Sequence, residues 1–170
     1  CGADNTMRVW DAELGEGFEP IDIGSRCYYI SFDRNGEKQL YAMSNNTIVV
    51  TDYASGNLIA ELGVEDGHTD TIRSARFSYD GKLVISVSSD KTVKLWDIES
   101  CQCIKTIIHD LSTNAMQCAA LSNDGKKIVS SDTVMKITNV ELGNFHNIRY
   151  REIQNSELGG ALIKAFSHDS

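Results

Sequence analysis

The side chains that could do chemistry gather in one stretch, residues 67–97, GHTDTIRSARFSYDGKLVISVSSDKTVKLWD. It contains His68, Ser86 and Asp90, and it closes on Trp96-Asp97. A serine, a histidine and an aspartate are the residue types of nucleophilic catalysis: a hydroxyl, a base to take its proton, and a carboxylate to orient the base. That chemistry also needs a pocket of convergent titratable groups. The histidines (His68, His109, His146 and His168) are instead scattered along the chain. No glycine-rich phosphate loop and no metal-ligand spacing accompanies them in the sequence. The residue types alone leave catalysis open; their surroundings argue against it.

The elements that must position these residues can be read from the pattern. Ile72, Ala75 and Phe77 are apolar in the first piece of the stretch. Leu83, Ile85 and Val87 alternate with Val84, Ser86 and Ser88, and Val93 and Leu95 alternate with Lys94 and Trp96. Period-two spacing with β-branched residues predicts three strands. Asp80-Gly81 forms a hairpin turn, because glycine accepts positive φ without steric cost. Asp90 falls in the next turn, where its carboxylate can accept backbone N–H bonds.

The pattern recurs. Phe32, Phe77, Leu121 and Phe166 are separated by 45, 44 and 45 residues, and Gly36, Gly81 and Gly125 by 45 and 44. Trp10 and Trp96 lie 86 apart, two periods. A period of about 40–45 residues with four strands per unit is that of a β-propeller.

Composition bounds the rest. The chain has 170 residues, 41% of them apolar and 24% charged, with one proline and six tyrosines. That suits a sheet-rich globular fold. The net charge of −8 argues against direct nucleic-acid binding, which needs a basic surface. The five cysteines (Cys1, Cys27, Cys101, Cys103 and Cys118) are odd in number and form no short disulfide framework, so free thiols in a reducing compartment are expected. Cys101 and Cys103 are the one close pair, and they would face the same side of a strand. A metal site would need about two further ligands. No cofactor and no metal is expected. No stretch reaches the length of a membrane span. The chain begins without a methionine or a signal peptide, so it is expected to be part of something longer.

The 67–97 stretch resembles a complete WD40 repeat, bounded by Gly67-His68 and Trp96-Asp97. The resemblance implies an all-β WD40 propeller portion with three complete four-stranded blades and two partial ones. Residues 1–26 would end one blade. Residues 27–66 form a degenerate blade in which Thr51-Asp52 replaces Trp-Asp, and 67–108 form the intact blade. Residues 109–160 form a second degenerate blade with closing pair Thr138-Asn139 and a long connection, and 161–170 start another. Complete propellers commonly close with about seven blades, so the chain is expected to be a portion of one. The resemblance also implies that His68, Ser86, Asp90 and Trp96 form a hydrogen-bonded chain tying the strands together. On that reading Ser86 is a buried scaffold residue, not a nucleophile, and the protein is not an enzyme.

A closer resemblance rests on CGADNTMRVWDAELGE, SRCYYISFDRNG, NAMQCAALSNDG and above all GNFHNIRYREIQNSELGG at 143–160. There Gly143, Phe145, Tyr150, Glu157 and Gly159 are spaced as in the i subunit of eukaryotic translation initiation factor three. The resemblance implies a cytoplasmic, non-enzymatic scaffold. Its partners would be the b and g subunits of that complex and the small ribosomal subunit, with no direct specific nucleic-acid contact and no membrane. Candidate partner contacts are Asp97, Asp110, Leu111 and Asn114, where acidic groups could meet a basic helix or remain solvated turn residues. The sequence departs from that family in two places. SSDTVMKITNV stands where the family is rich in glycine and threonine, and one blade fewer lies between Trp10 and His68. A break or abnormal connection is therefore expected near Met43–Asn46. The alternative reading is an unrelated WD40 adaptor, such as a ubiquitin-ligase substrate receptor or a signalling scaffold.

Overall fold

The computed structural model describes residues 5–8, 10, 13–15, 17, 21–108, 118–131, 135–140 and 145–148. Among them every regular element is a β-strand. β1 (Thr6–Met7) and β2 (Ile21–Asp22) form a two-stranded sheet. β3 (Cys27–Phe32), β4 (Lys38–Met43), β5 (Ile48–Asp52) and β6 (Leu58–Leu62) form a four-stranded sheet. So do β7 (Ile72–Phe77), β8 (Leu83–Ser88), β9 (Thr92–Asp97) and β10 (Gln102–Ile108). A third comprises β11 (Cys118–Leu121), β12 (Lys127–Ser131), β13 (Met135–Asn139) and β14 (Phe145–Ile148). Within each sheet the strands pair antiparallel in chain order, so each is a meander of short hairpins.

The sheets stack face to face, and this explains the central strands. β8 is buried on both faces from Val84 to Ser88. Ile85 and Val87, with Val93, Leu95 and Ile107, pack with Ala119 and Ile128 of the third sheet. Val84, Trp96 and Ile98 face the other way and pack with Leu40, Ala42, Ile48, Val50, Ala60 and Leu62 of the second. Ser86 and Ser88 share this second face with Val84 and are buried too. A buried hydroxyl must find partners or destabilise the fold. The strand pattern therefore creates the demand that the hydrogen bonds described below satisfy.

First strands lie against first strands, β3 against β7 and β7 against β11. Two lysines stitch neighbouring sheets together: Lys38 Nζ donates to the Gly81 carbonyl at 3.2 Å, and Lys105 Nζ to the Val140 carbonyl at 2.6 Å. The turns after the first strands are built alike. Ser78 Oγ donates to Asp80 Oδ1 at 2.6 Å, and Ser122 Oγ to Asp124 Oδ1 at 2.6 Å. Gly81 and Gly125 follow with φ of +67° and +71°.

Two expectations are corrected. The connection at Met43–Asn46 is an ordinary hairpin. β4 and β5 pair from Lys38↔Asp52 to Ala42↔Ile48 without a shift, and the Met43 N–H donates to the Thr47 carbonyl at 2.9 Å. Asn46 takes φ of +66°, as Lys91 takes +68° in the next sheet. Asn45 Oδ1 accepts the Thr47 N–H and hydroxyl at 3.2 and 2.8 Å. Asp90 Oδ1 does the same for Thr92 at 2.8 and 2.7 Å. Asparagine tolerates positive φ and supplies an acceptor, so SNNT closes the turn as SDKT does. Nor do Cys101 and Cys103 share a strand, since Cys101 occupies the turn before β10 with φ of +58°.

Between β6 and β7 the chain closes on itself, and a Cβ built at Gly67 would run into the Gly63 carbonyl oxygen. Gly63 has φ of +87° and lies under the Trp96 ring. Glycine at 67 is thus required by close approach. Gly67→Ala should destabilise the full-length protein by roughly 1–3 kcal/mol, the range for overpacking. Gly125→Ala, with open space and only its positive φ against it, should cost about 1 kcal/mol. Denaturant midpoints of the two variants test this; equal shifts would show that the contact is slack.

Candidate functional site

His68 lies in the connection leading into β7, Ser86 on β8, Asp90 in the β8–β9 turn and Trp96 on β9. The sheet brings all four together. Trp96 Nε1–H donates to Ser86 Oγ at 2.8 Å. Ser86 Oγ lies 2.7 Å from His68 Nε2, and His68 Nδ1 lies 2.8 Å from Asp90 Oδ2. The direction of each bond follows from the groups. An indole can only donate and a carboxylate only accept, so Nδ1 carries the imidazole proton and Ser86 donates to Nε2. The His68 and Trp96 rings meet edge to face at 6.2 Å.

Residues not singled out by the sequence complete the network. Thr92 Oγ1 donates to Asp90 Oδ1 and lies 3.1 Å from His68 Nδ1, and the Thr69 N–H donates to Asp90 Oδ2 at 3.0 Å. Ser88 Oγ donates to the Asp70 carbonyl at 2.8 Å and accepts the Asp90 N–H at 3.1 Å. The cue for Thr92 was present, since an aspartate two residues before a threonine is the spacing of such a turn. Thr69 was not legible, because it meets Asp90 only once the connection folds back over β8.

Charges follow from this packing. Burial pushes the His68 imidazole below its ordinary value of 6.5, against the Asp90 carboxylate, which works to raise it. Burial would raise the Asp90 carboxyl, but the bonds from Thr92, His68 and the Thr69 backbone outweigh it and hold the group below its ordinary 3.8. At neutral pH the pair is a neutral imidazole donating to a carboxylate.

The arrangement has the order Asp–His–Ser of a hydrolytic triad, yet the hydroxyl meets no substrate. Ser86 is 1% exposed, and its oxygen is already bonded to Trp96 and His68. Among the described residues no group of three or more His, Cys, Asp or Glu side chains could hold a metal ion. The four cysteines described, Cys27, Cys101, Cys103 and Cys118, are free thiols.

Comparison with known proteins agrees with this geometry. Residues 56–97 match the family model described as "WD domain, G-beta repeat". The chain carries a WD40 repeat. The chain is also similar to several curated proteins. Autophagy-related protein 16 of Arabidopsis thaliana is 26% identical over 147 residues, 84% of this chain and 28% of that protein. The serine-threonine kinase receptor-associated protein of Gallus gallus is 30% identical over 117 residues, 69% of this chain and 33% of that protein. WD repeat and SOCS box-containing protein 1 of Xenopus tropicalis is 30% identical over 128 residues, 72% of this chain and 29% of that protein. The chain thus spans about a third or less of these relatives' lengths. The matched residues hold all four members of the bonded chain, His68, Ser86, Asp90 and Trp96, while the second sheet has other residues at two of those positions. Tyr41 sits where Ser86 does and Thr51 where Trp96 does, and a cavity of about 420 Å³ lies beside them.

Of the partner-contact candidates, Asp97 ends β9 and is partly exposed. Its Oδ1 accepts the Ser100 N–H at 2.8 Å and the Ser100 hydroxyl at 3.1 Å. The backbone bond from Ser100 is the main cause of its lowered pKa. Asp52 repeats the arrangement with Ser55, so one oxygen of each is committed to a turn. Asp110, Leu111 and Asn114 lie outside the described residues.

The histidine makes stability pH-dependent. An unfolded imidazole takes a proton below about 6.5, whereas His68 in the fold resists it. The unfolded state then binds more protons, so stability is full above about pH 6.5 and falls as the pH drops below it. The melting temperature of the full-length protein should decline from about pH 7.5 to 5.5. His68→Gln should melt lower at pH 7.5 but lose less on acidification. Asp90 adds nothing in this window, because its ordinary value of 3.8 lies beneath it. An undiminished slope in the variant would remove His68 as the cause.

Proposed function

We propose that the chain is part of a non-enzymatic WD40 scaffold whose surfaces hold other proteins. The observation that carries this reading is the burial of Ser86. The one Ser-His-Asp group among the described residues is spent on joining β8, β9 and the connection into β7. Rigid stacked sheets with exposed loops and outer strands suit reception of a helix or an extended peptide. Apolar side chains stand exposed on two outer strands, Leu58 and Ile59 on β6 and Ile104 and Ile108 on β10.

The finer reading is a subunit resembling the i subunit of eukaryotic translation initiation factor three, cytoplasmic and bound to the b and g subunits and to the small ribosomal subunit. Its support is the 143–160 segment, in which Phe145–Ile148 forms the outer strand β14; the remainder lies outside the described residues. Asp97, Asp110, Leu111 and Asn114 are the contacts proposed on this reading. The net charge of −8 favours protein contacts over direct RNA binding in such an assembly. Among the described residues no helix is long and apolar enough to cross a membrane.

A second reading, an adaptor outside translation, is favoured by the relatives themselves. One of them is named for a kinase receptor and another for a SOCS box. Affinity purification of the full-length protein, with identification of the co-eluting chains, separates the two. The first reading expects the b and g subunits in near-stoichiometric amounts. Their absence with other proteins retained would select the adaptor, and recovery of no protein partner would overturn the scaffold.

A further inference from the structure

Between the first strands β3, β7 and β11 and their turns lies a polar cleft of about 250 Å³. Its lining includes Tyr29, Ser31, Arg34, Arg76, Tyr79 and Asn123, and no carboxylate. Arg34 stacks its guanidinium over the Tyr79 ring at 4.1 Å, which bridges the β3–β4 and β7–β8 turns and holds the cation at the cleft. Such stacking leaves the guanidinium edge, with its N–H donors, free to bind. Arg76 projects from β7 on an exposed position that lines the cleft, and among the described residues no side chain is seen to salt-bridge it. The aspartates of the surrounding turns are turned to local work. Asp33 Oδ1 accepts the Glu37 and Lys38 N–H groups, Asp80 Oδ1 accepts from Ser78 and Lys82, and Asp124 Oδ1 from Ser122 and Lys126.

Two guanidiniums in one cleft, neither ion-paired among the described residues, are out of keeping with a chain of net charge −8. Arginine is the side chain suited to bidentate recognition of carboxylates, and a cleft lined also by a hydroxyl and an amide adds polar partners. The size of the cleft suits one or two side chains. The overall negative field disfavours a long polyanion such as RNA, which needs an extended basic surface. We infer that this cleft is a docking site for a short acidic segment of a protein partner, its carboxylates held by Arg34 and Arg76. The inference rests on the scaffold reading and adds to it the chemistry of one partner segment.

The test uses the full-length protein and fluorescence anisotropy with a labelled hexaglutamate peptide, hexaglutamine as control, and a labelled decauridylate RNA. Hexaglutamate should bind and hexaglutamine should not. Arg34→Gln and Arg76→Gln should each weaken hexaglutamate binding about tenfold; Arg76→Gln should do so with an unchanged melting temperature, whereas Arg34→Gln also gives up the stack on Tyr79 and should melt slightly lower. Arg76→Lys should recover part of the loss, because it restores charge without the fork. Equal affinity in wild type and Arg76→Gln, or no hexaglutamate binding, would overturn the site. So would tighter binding of the RNA with the same arginine dependence. If protein partners still co-purify while hexaglutamate binding ignores both arginines, the site fails and the scaffold reading stands.

Discussion

The buried hydroxyl of Ser86 is the constraint on which this part of the fold turns. Strand alternation places it on the face of β8 that the second sheet covers, where it is buried. Its oxygen accepts a hydrogen bond from the Trp96 indole N–H and its hydroxyl donates one to His68 Nε2. Removing either partner would leave a buried polar group unmet, at a cost of roughly 1–3 kcal/mol. The histidine needs Asp90 to fix its proton on Nδ1, and Asp90 needs Thr92 and Thr69 to keep its charge in a half-buried place. Each member is held by the next, so the connection into β7, β8, the β8–β9 turn and β9 are locked as one unit. Trp96, anchored at its nitrogen, presents its ring to the neighbouring sheet and to Gly63.

The second sheet shows what holds when that chain is missing. Tyr41 and Thr51 replace the serine and the tryptophan, yet β4 pairs with β5 throughout and Leu40, Ile48 and Leu62 are fully buried. Hairpin pairing and apolar stacking are therefore enough for the meander. A cavity of about 420 Å³ lies beside Tyr41 and Thr51, where no indole is present. Among the described residues three buried side-chain oxygens are without hydrogen-bond partners, Gln39 Oε1 and Thr51 Oγ1 in this sheet and Thr138 Oγ1 in the third. In these two sheets strand pairing is intact while polar satisfaction is incomplete.

A Ser-His-Asp group is a reminder that residue types do not define chemistry. The distances in this network match those of a catalytic triad, and the imidazole is in the tautomer that catalysis would need. What differs is access. An indole N–H occupies one side of the oxygen, and packed apolar residues surround it. The same hydrogen bonds that would activate a serine at a surface instead cement a strand in a core.

Much of the fold was legible in the sequence, because a two-residue alternation and a recurrent Asp-Gly or Asn turn are local signals. Phe32, Phe77 and Leu121 do end the first strands of three sheets, as their spacing of 45 and 44 implies. The residues of the Ser86 network could be named through resemblance, but alternation alone could not say that both faces of β8 are buried, since burial depends on what stacks above and below. The expectation of a break at Met43–Asn46 came from comparing sequence with sequence. The turn is decided by whether Asn45 can do the work of Asp90 and whether Asn46 accepts φ of +66°, and both hold. The cleft of Arg34 and Arg76 was not visible at all, for its lining comes from three sheets whose residues lie far apart along the chain. The sequence by itself determined the strands, their turns and their period, which are matters of neighbouring residues. Only the tertiary structure decided which hydroxyl is buried, which cations are left unpaired and what faces what, because those follow from the stacking of sheets.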